Sequence, residues 1–115
     1  MENKTVLGLT EKVIIFGNNN QRKEVVARID TGATNSSIDM DVAGTLELGP
    51  IKKTKLVKSA SGKKRRAIIS VKVKLADKEM EDDFTVAVRK HMTYPVLIGQ
   101  NILRKGNFLI DPNKK

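Results

Sequence analysis

Residues 67–75 alternate apolar and polar side chains, and this alternation constrains the fold more than any other feature of the chain. In an extended chain the apolar members share one face, and they are Ile69, Val71, Val73 and Leu75. Polar side chains occupy the other face, at Ser70, Lys72 and Lys74. Ala67–Leu75 is therefore predicted to be a half-buried strand, and its apolar face requires other strands or helices to cover it.

Several further short segments have the composition of strands and are separated by turn residues. They are Glu11–Phe16, Lys23–Ile29, Thr54–Ser59, Phe84–Val88, Tyr94–Ile98 and Phe108–Ile110. Gly17–Gln21 predicts a turn that joins the first two into a hairpin. The small and polar residues of Ser59–Lys64 predict a second turn, which would pair Thr54–Ser59 with Ala67–Leu75.

Helical signals are few. Gln100–Lys105 is predicted to be the one clear short helix, ended by Gly106. Ser37–Met40 fits either a short strand or the start of a helical turn, and Asp30–Ser37 is expected to be a loop. Many short strands and one late helix predict an all-β fold, either a small barrel or a sandwich, and 115 residues predict a single domain, 1–115.

The composition excludes some kinds of chemistry. Cysteine is absent and His91 is the only histidine, so disulfides, thiolate metal sites and a conventional zinc site within one chain are excluded. We therefore expect no metal and no cofactor. The N-terminus shows no signal peptide, and apolar runs such as Val13–Phe16 are too short to span a membrane. A cytoplasmic protein without membrane contact is the expectation.

The formal net charge of +9 is unevenly distributed. Lys52–Arg66 carries many cations and no acid, whereas Asp77–Asp83 is strongly acidic. Two interpretations stay open: a basic surface that binds an acidic partner, or two solvated faces without a ligand. Nucleic-acid binding is the weaker form of the first interpretation, because the few aromatic residues are dispersed along the chain and form no evident stacking platform.

Asp30-Thr31-Gly32-Ala33 is the strongest candidate for chemistry. A carboxylate in a loop that directly follows a strand is well placed for catalysis. Gly32 lets backbone approach the carboxylate and donate N–H bonds to it, and the Thr31 hydroxyl can lock the loop. Ala33 is small enough to leave room for a substrate. A plain turn would look the same in sequence, so this run needs support from elsewhere in the chain.

That support comes from the run Tyr94-Pro95-Val96-Leu97-Ile98-Gly99-Gln100-Asn101-Ile102-Leu103. This run resembles the late segment of aspartic peptidases. It has an apolar pair, Leu97-Ile98, then Gly99, and then a polar pair, Gln100-Asn101, that begins an apolar helix. Together with the Asp30 run and a hairpin around Ser61-Gly62, the chain resembles the retropepsin family. It is most similar to the cellular branch labelled "ATP-dependent zinc protease", although its residues give the zinc of that label no support.

The resemblance implies a closed acid-protease barrel with a flap hairpin and one short C-terminal helix. It also implies an active site shared by two chains. Aspartic peptidases use two carboxylates that share a proton, and this chain has one Asp-Thr-Gly run. The second Asp30 is therefore expected from a second copy. The implied function is a homodimeric aspartic endopeptidase, which hydrolyses peptide bonds with a water activated by the two Asp30 carboxylates.

Further roles follow from the same resemblance. Thr31, Gly32 and Ala33 would support the active-site loop, and Gly99, Gln100 and Asn101 would be structural. Substrate would contact Thr34 and the flap residues Ser61, Gly62 and Lys63.

The chain departs from retroviral members of the family at two positions. Those members carry an acid and an arginine that pair, where this chain has Thr34 and Gln100. We expect a neutral hydrogen bond between these two residues instead.

The partner of the site is expected to be acidic. The cellular branch is linked with ligases that add glutamate, and the basic flap fits an acidic peptide substrate. Two alternatives are kept open: a catalytically inactive retropepsin-like domain that binds peptides or regulates a partner, and a basic β-domain that binds nucleic acid.

Overall fold

The computed structural model describes residues 4–59 and 62–114. They form nine strands and two helices. The strands are β1 (Val6–Leu7), β2 (Thr10–Phe16), β3 (Arg22–Ile29), β4 (Ser36–Asp39), β5 (Lys53–Ser59), β6 (Gly62–Leu75), β7 (Lys78–Ala87), β8 (Val96–Ile98) and β9 (Leu109–Ile110). The helices are α1 (Met40–Thr45) and α2 (Gln100–Lys105).

The first predicted hairpin is confirmed. β2 and β3 pair antiparallel along their whole length, from Thr10 opposite Arg28 to Phe16 opposite Arg22. Asn19 and Asn20 adopt positive φ angles of 57° and 63° in the turn. Asparagine tolerates this conformation better than most residues, which is why the run of asparagines could predict the turn.

The alternating segment is a strand with a buried apolar face, as predicted. Its four apolar side chains are at most 2% exposed, at Ile69, Val71, Val73 and Leu75. They pack with other buried aliphatic residues and with Phe84 in one hydrophobic core. The core consists almost entirely of aliphatic side chains, as the scarcity of aromatics in the sequence requires.

The predicted turn at Ser59–Lys64 is wrong for its second half, because β6 already begins at Gly62. Ser59 pairs with Gly62 and Lys58 with Lys63, so the strand ladder extends to the end of the β5–β6 hairpin. The predicted pairing of Thr54–Ser59 with Ala67–Leu75 is wrong, because β5 pairs with the first half of β6 and the second half pairs with β2 and β7. Polar residues can continue a solvent-exposed strand, because the backbone N–H and C=O groups are satisfied by pairing with the neighbouring strand. The two remaining turn residues, 60 and 61, lie outside the described part of the chain.

The bounds of β7 and β8 also differ from the sequence predictions. β7 begins at Lys78, well before the predicted Phe84, because it pairs with β6 from Leu75 opposite Lys78 onward. It ends at Ala87, and Val88, the last residue of the predicted strand, is 54% exposed. β8 begins at Val96 rather than Tyr94.

For Ser37–Met40 the sequence allowed a short strand or the start of a helical turn, and the structure contains both. β4 ends at Asp39 and α1 begins at the next residue, Met40. Asp39 caps α1, with its carboxylate accepting a bond from the Asp41 amide. The helix Gln100–Lys105 is confirmed with its end at Gly106, so the described residues contain two short helices rather than one.

Pairing closes the sheet into a barrel. The strand order is β2-β3-β8-β4-β7-β6-β5, and β2 also pairs with β6. The closed barrel, which the resemblance implied, consists of six strands in the order β2-β3-β8-β4-β7-β6. Among the described strands, β5 lies outside it and pairs only with β6, as the outer strand of the β5–β6 hairpin. Strands β1 and β9 form a separate parallel pair near the two ends of the chain.

Candidate active site

The loop that carries Asp30 is positioned by the insertion of one strand between two others. β8 pairs with β3 through Ile29 opposite Ile98 and with β4 through Ser37 opposite Leu97. The connection from β3 to β4 must therefore cross the end of β8. At this crossing the Asp30 amide donates a 2.9 Å hydrogen bond to the Ile98 carbonyl.

The Asp30 carboxylate is held by its own loop. The Gly32 amide donates a 2.9 Å bond to Oδ1 of Asp30. A Cβ at position 32 would lie 3.3 Å from that oxygen, so a larger residue would crowd the carboxylate. Asp30 itself is half-buried, while Thr31 and Gly32 are exposed. The carboxylate thus has one N–H donor and remains near a surface that another molecule can reach.

Gly99 permits the loop to pass close over the end of β8. A Cβ there would lie 2.5 Å from the Asn35 carbonyl oxygen and 2.8 Å from that of Ala33. The next residue, Gln100, donates its amide to the Ala33 carbonyl at 2.8 Å. Its side-chain amide donates to the Thr31 carbonyl at 2.8 Å, so the structure gives Gln100 a main-chain partner where the sequence suggested the side chain of Thr34.

A buried serine ties the same loop to α2. The Ser36 hydroxyl and amide donate to Oδ1 of Asn101 at 2.8 and 3.0 Å, and the Gly99 amide donates to the Ser36 hydroxyl at 2.9 Å. Asn101 also donates to the Asp83 carbonyl at 2.8 Å. Sequence reasoning found Asn101 and missed Ser36, because a fully buried serine in a polar stretch carries no periodic signal.

The β5–β6 hairpin forms one wall of a cavity beside this loop. The cavity has a volume of about 330 Å³ and is called the cleft here. Its lining residues are Ala33, Thr34, Asn35, Lys55, Leu56, Val57, Lys58 and Thr85. The structure therefore brings the predicted contact Thr34 together with β5. Gly62 and Lys63 pair with Ser59 and Lys58 on β5 but do not themselves line the cleft, and Ser61 falls outside the described residues.

The acidic run lies opposite cations of the same chain. Lys52 contacts Asp83 at 2.7 Å, Lys72 contacts Glu79 at 3.2 Å and Lys105 contacts Asp82 at 3.6 Å. The hydrogen bond and the charge of Asp83 raise the pKa of Lys52 above its usual value.

The basic run is only partly neutralised in this way. Lys55 faces Arg66 and Lys58 faces Lys63 across the hairpin, and like charges placed directly opposite each other disfavour the pairing. The positive charge is thus concentrated beside the cleft.

Asp39 is a structural carboxylate. It is 6% exposed, caps α1, and accepts a 2.7 Å bond from the Arg89 amide. Burial lowers the pKa of the Arg89 guanidinium, the Asp39 charge opposes that shift, and the charge of Arg66 adds to it. Its contacts with backbone amides give Asp39 a structural role.

The residues do not fit a zinc ion. The chain has no cysteine and a single histidine, His91, which is exposed. Within residues 4–59 and 62–114, no three histidine, cysteine, aspartate or glutamate side chains are grouped so that they could hold a metal ion.

Across the part of the chain that the structure describes, neither helix has the length and apolar character needed to cross a bilayer.

Solved structures with the same architecture include viral proteases and a protein of unknown function. Protein Lpg0085 from Legionella pneumophila, of unknown function, has a TM-score of 0.70 at 21% identity, covering 98% of this chain and 97% of its own. EIAV protease, solved with the inhibitor HBY-793, gives 0.64 at 19% identity, covering 91% and 89%. The simian foamy virus protease gives 0.59 at 18% identity, covering 83% and 91%.

The fold is therefore that of the retropepsin-like aspartic proteases, as the sequence predicted. A family model described as RimB-like, retropepsin-like aspartic endopeptidase RimB, matches residues 41–115, and the chain belongs to this family. The match begins after the Asp30 loop, so the family assignment rests on the part of the chain from α1 to the C-terminal segment, which includes the β5–β6 hairpin, β8 and α2. A search of curated proteins finds no sequence match.

Proposed function

We propose that the protein is an aspartic endopeptidase in which two copies each contribute Asp30 to one active site. The observation that carries this proposal is the placement of Asp30. Its carboxylate sits on a loop fixed by Ile98, Gly32 and Gln100, beside a cleft that the β5–β6 hairpin partly encloses. The cleft is lined by Ala33–Asn35 of the same loop, and the sequence has one Asp-Thr-Gly run, so the proposal takes the second acid from another copy of the chain.

The surface next to Asp30 supports association of two copies. The Leu9 carbonyl accepts a 2.9 Å bond from the Ile29 amide, which places Leu9 beside the end of β3. Leu9 is 52% exposed, and on the terminal strands Leu109 is 50% exposed opposite Val6. Exposed apolar side chains on these segments, with Leu9 next to the residue that precedes Asp30, are suited to an interface between two copies.

The proposed chemistry follows from two carboxylates that share one proton. The ionised Asp30 takes a proton from a water molecule, and the water oxygen bonds to the scissile carbonyl carbon. The protonated Asp30 of the other copy donates its proton to the carbonyl oxygen. The carboxyl pair then gives its remaining proton to the amide nitrogen as the carbon–nitrogen bond breaks. One hydroxyl of the tetrahedral diol returns a proton to the pair as the diol becomes the carboxylic acid. The products are a carboxylic acid and an amine, and the dyad again holds one proton.

Replacement of Asp30 by asparagine tests the catalytic assignment. Asp30→Asn keeps the size and most hydrogen-bonding capacity of the side chain but cannot accept a proton. Cleavage of a peptide library, followed by mass spectrometry, should disappear while circular dichroism and sedimentation show an unchanged fold and dimer. Cleavage retained at the wild-type rate would reject Asp30 as the catalytic carboxylate.

An acidic substrate is the second part of the proposal. Lys55 and Lys58 line the cleft beside Ala33–Asn35, and both face further cations across the hairpin. Lys55→Ala should lower kcat/KM for a glutamate-rich peptide by about twofold to fivefold, the range expected for exposed ion pairs. Lys12→Ala, which removes an exposed charge on β2, is the matched control. Equal cleavage of glutamate-rich and neutral peptides by the wild type would remove the preference while leaving the catalytic proposal intact.

A further inference from the structure

β6 and β7 separate at one end of the barrel and leave a groove between them. Their pairing stops at Ile68 opposite Thr85. Beyond that point, the described register pairs Lys64–Ala67 with β5, and pairs Val86 and Ala87 with β4. A strand has two hydrogen-bonding edges, so the edges that β6 and β7 turn toward each other here lack a strand partner.

This groove is distinct from the cleft at the candidate active site. It has a volume of about 390 Å³. Its lining residues are Met40, Lys64, Arg65, Arg66, Ala67, Val86, Ala87 and Val88, and none of them lines the cleft. We call it the β6–β7 groove.

The side chains of the β6–β7 groove specify the chemistry of an occupant. Three consecutive cations lie on its β6 side, and Arg89 follows directly on its β7 side. The proximity of Arg66 to Arg89 is sufficient for the Arg66 charge to lower the pKa of the Arg89 guanidinium. The carboxylate near them, Asp39, is already engaged by the amides of Asp41 and Arg89. Arg65 donates to the Thr54 hydroxyl at 3.3 Å and the Nε of Arg89 to the Tyr94 carbonyl at 3.1 Å. The Asp39 charge acts on Arg89, but within the described part of the chain none of these cations forms an ion pair, so the groove keeps an excess of positive charge.

The groove also has apolar contact surface. Met40 is 53% exposed and Val88 54% exposed, although both are large apolar side chains; they follow the paired residues Asp39 and Ala87 on the β4–β7 side of the groove. An exposed apolar pair beside an open strand edge favours an extended peptide, because its backbone pairs with the edge and its alternate side chains point to the two sides.

We propose that the β6–β7 groove is a second peptide-binding site, which takes an extended acidic segment as an added strand along Lys64–Ala67. Acidic side chains of the peptide contact Lys64, Arg66 and Arg89, and intervening apolar side chains contact Met40 and Val88. The site does not require the Asp30 dyad. The β5–β6 hairpin separates the two cavities. An acidic substrate protein held in the β6–β7 groove could therefore place another of its own segments in the cleft.

Nuclear magnetic resonance offers a direct test in a protein of this size. The 15N-labelled Asp30→Asn variant, which cannot cleave the probe under the proposed mechanism, is titrated with an end-blocked peptide of alternating glutamate and valine. We expect shift changes and slower amide exchange at Lys64–Ala67 and Val86–Val88. Changes confined to Thr34 and Lys55–Lys58 would place the peptide in the cleft and overturn the proposal.

Two further arms separate strand pairing from charge alone. A peptide of the same sequence with alternate backbone nitrogens methylated keeps its charge but cannot form the ladder, so it should bind at least about tenfold more weakly. Equal binding of the methylated peptide would overturn strand addition. A single-stranded oligonucleotide of equal charge that binds the groove as tightly would likewise overturn a peptide site in favour of a general anion surface.

The variant Lys64→Glu/Arg66→Glu tests the cations. It should weaken binding of the acidic peptide by at least about tenfold, because each reversed charge replaces an attraction by a repulsion. The matched control is Lys12→Glu/Lys23→Glu, with the same change in net charge at exposed positions on β2 and β3. Equal loss in both variants would show that net charge alone governs binding and would overturn the site. The dispersion of the amide spectrum verifies that each variant is folded.

Discussion

The carboxamide oxygen of Asn101 accepts hydrogen bonds from both the amide and the hydroxyl of Ser36, at 3.0 and 2.8 Å. These residues are far apart in sequence, and the contact fastens the start of β4 to α2. The Ser36 hydroxyl in turn accepts from the Gly99 amide, so a single buried side chain connects the two segments that border the Asp30 loop.

Ser36→Ala should therefore destabilise the protein by about 1–3 kcal/mol, because the buried Gly99 amide loses its acceptor. The free energy of unfolding is measured by urea denaturation. Ser37→Ala is the matched control, since Ser37 is adjacent and less buried and its side chain makes no hydrogen bond that the described structure shows. Equal effects of the two substitutions would contradict a specific role for the Ser36 hydroxyl.

Gly99→Ala should displace the active-site loop. The new methyl group would lie 2.5 Å from the Asn35 carbonyl oxygen, in contact with backbone rather than with a flexible side chain. Overpacking of this kind costs about 1–3 kcal/mol, and peptide cleavage should fall with it because Asp30 would move. Gly44→Ala in α1 is the control, because a Cβ there meets nothing within 4 Å. The control should be neutral or stabilising by up to about 1 kcal/mol. Comparable losses in both would contradict the close approach at Gly99.

Leu9→Ser should weaken the proposed dimer. Leu9 is exposed beside the end of β3, so its replacement removes apolar contact area from the interface without opening a cavity in the barrel. Sedimentation velocity at several protein concentrations should show the dissociation constant rise by about tenfold. Ile51→Ser, which alters an apolar residue that is 63% exposed and lies outside β1–β4, is the control. A wild-type protein that stays monomeric at micromolar concentration would contradict the shared site itself.

The N- and C-terminal segments should be held together less firmly at low pH. Burial raises the pKa of Glu11, but the Gly8 amide and Lys114 together outweigh it, so the net pKa lies below its usual value of 4.5. Gly8 donates to the carboxylate at 2.7 Å and Lys114 at 2.9 Å. A carboxyl group whose pKa is lower in the folded state stabilises that state above the unfolded pKa. This contribution is lost as the pH falls through the folded pKa.

Glu11→Gln should therefore reduce the free energy of unfolding at about pH 6 and have a smaller effect at about pH 3.5. Denaturant titrations at both pH values measure the free energy of unfolding of the variant and of the wild type. Subtracting one from the other at each pH removes the contribution of the other carboxyl groups. Glu24→Gln, at an exposed position on β3, is the matched control for the loss of one negative charge. A Glu11→Gln effect that is equal at both pH values would contradict the contribution of the charge.

The elements with strong local signals could be predicted from the sequence. Alternation identified β6, the run of asparagines identified the turn before β3, and Gly106 marked the end of α2. Their common cause is local: backbone conformation and the period of the side chains are determined by residues that lie close together in the chain. The beginning of β7 and the early start of β6 had no such signal, because pairing with a neighbouring strand determined where each begins.

The sequence by itself determined an all-β chain, a retropepsin-like resemblance and a candidate carboxylate at Asp30. Only the tertiary structure decided that β8 lies between β3 and β4, which makes the Asp30 loop cross over Gly99 and brings Ser36 to Asn101. It also decided which part of the basic run borders the cleft and which part borders the β6–β7 groove. The physical reason is that these contacts join residues distant in sequence, so they depend on strand order and register, which local composition does not encode.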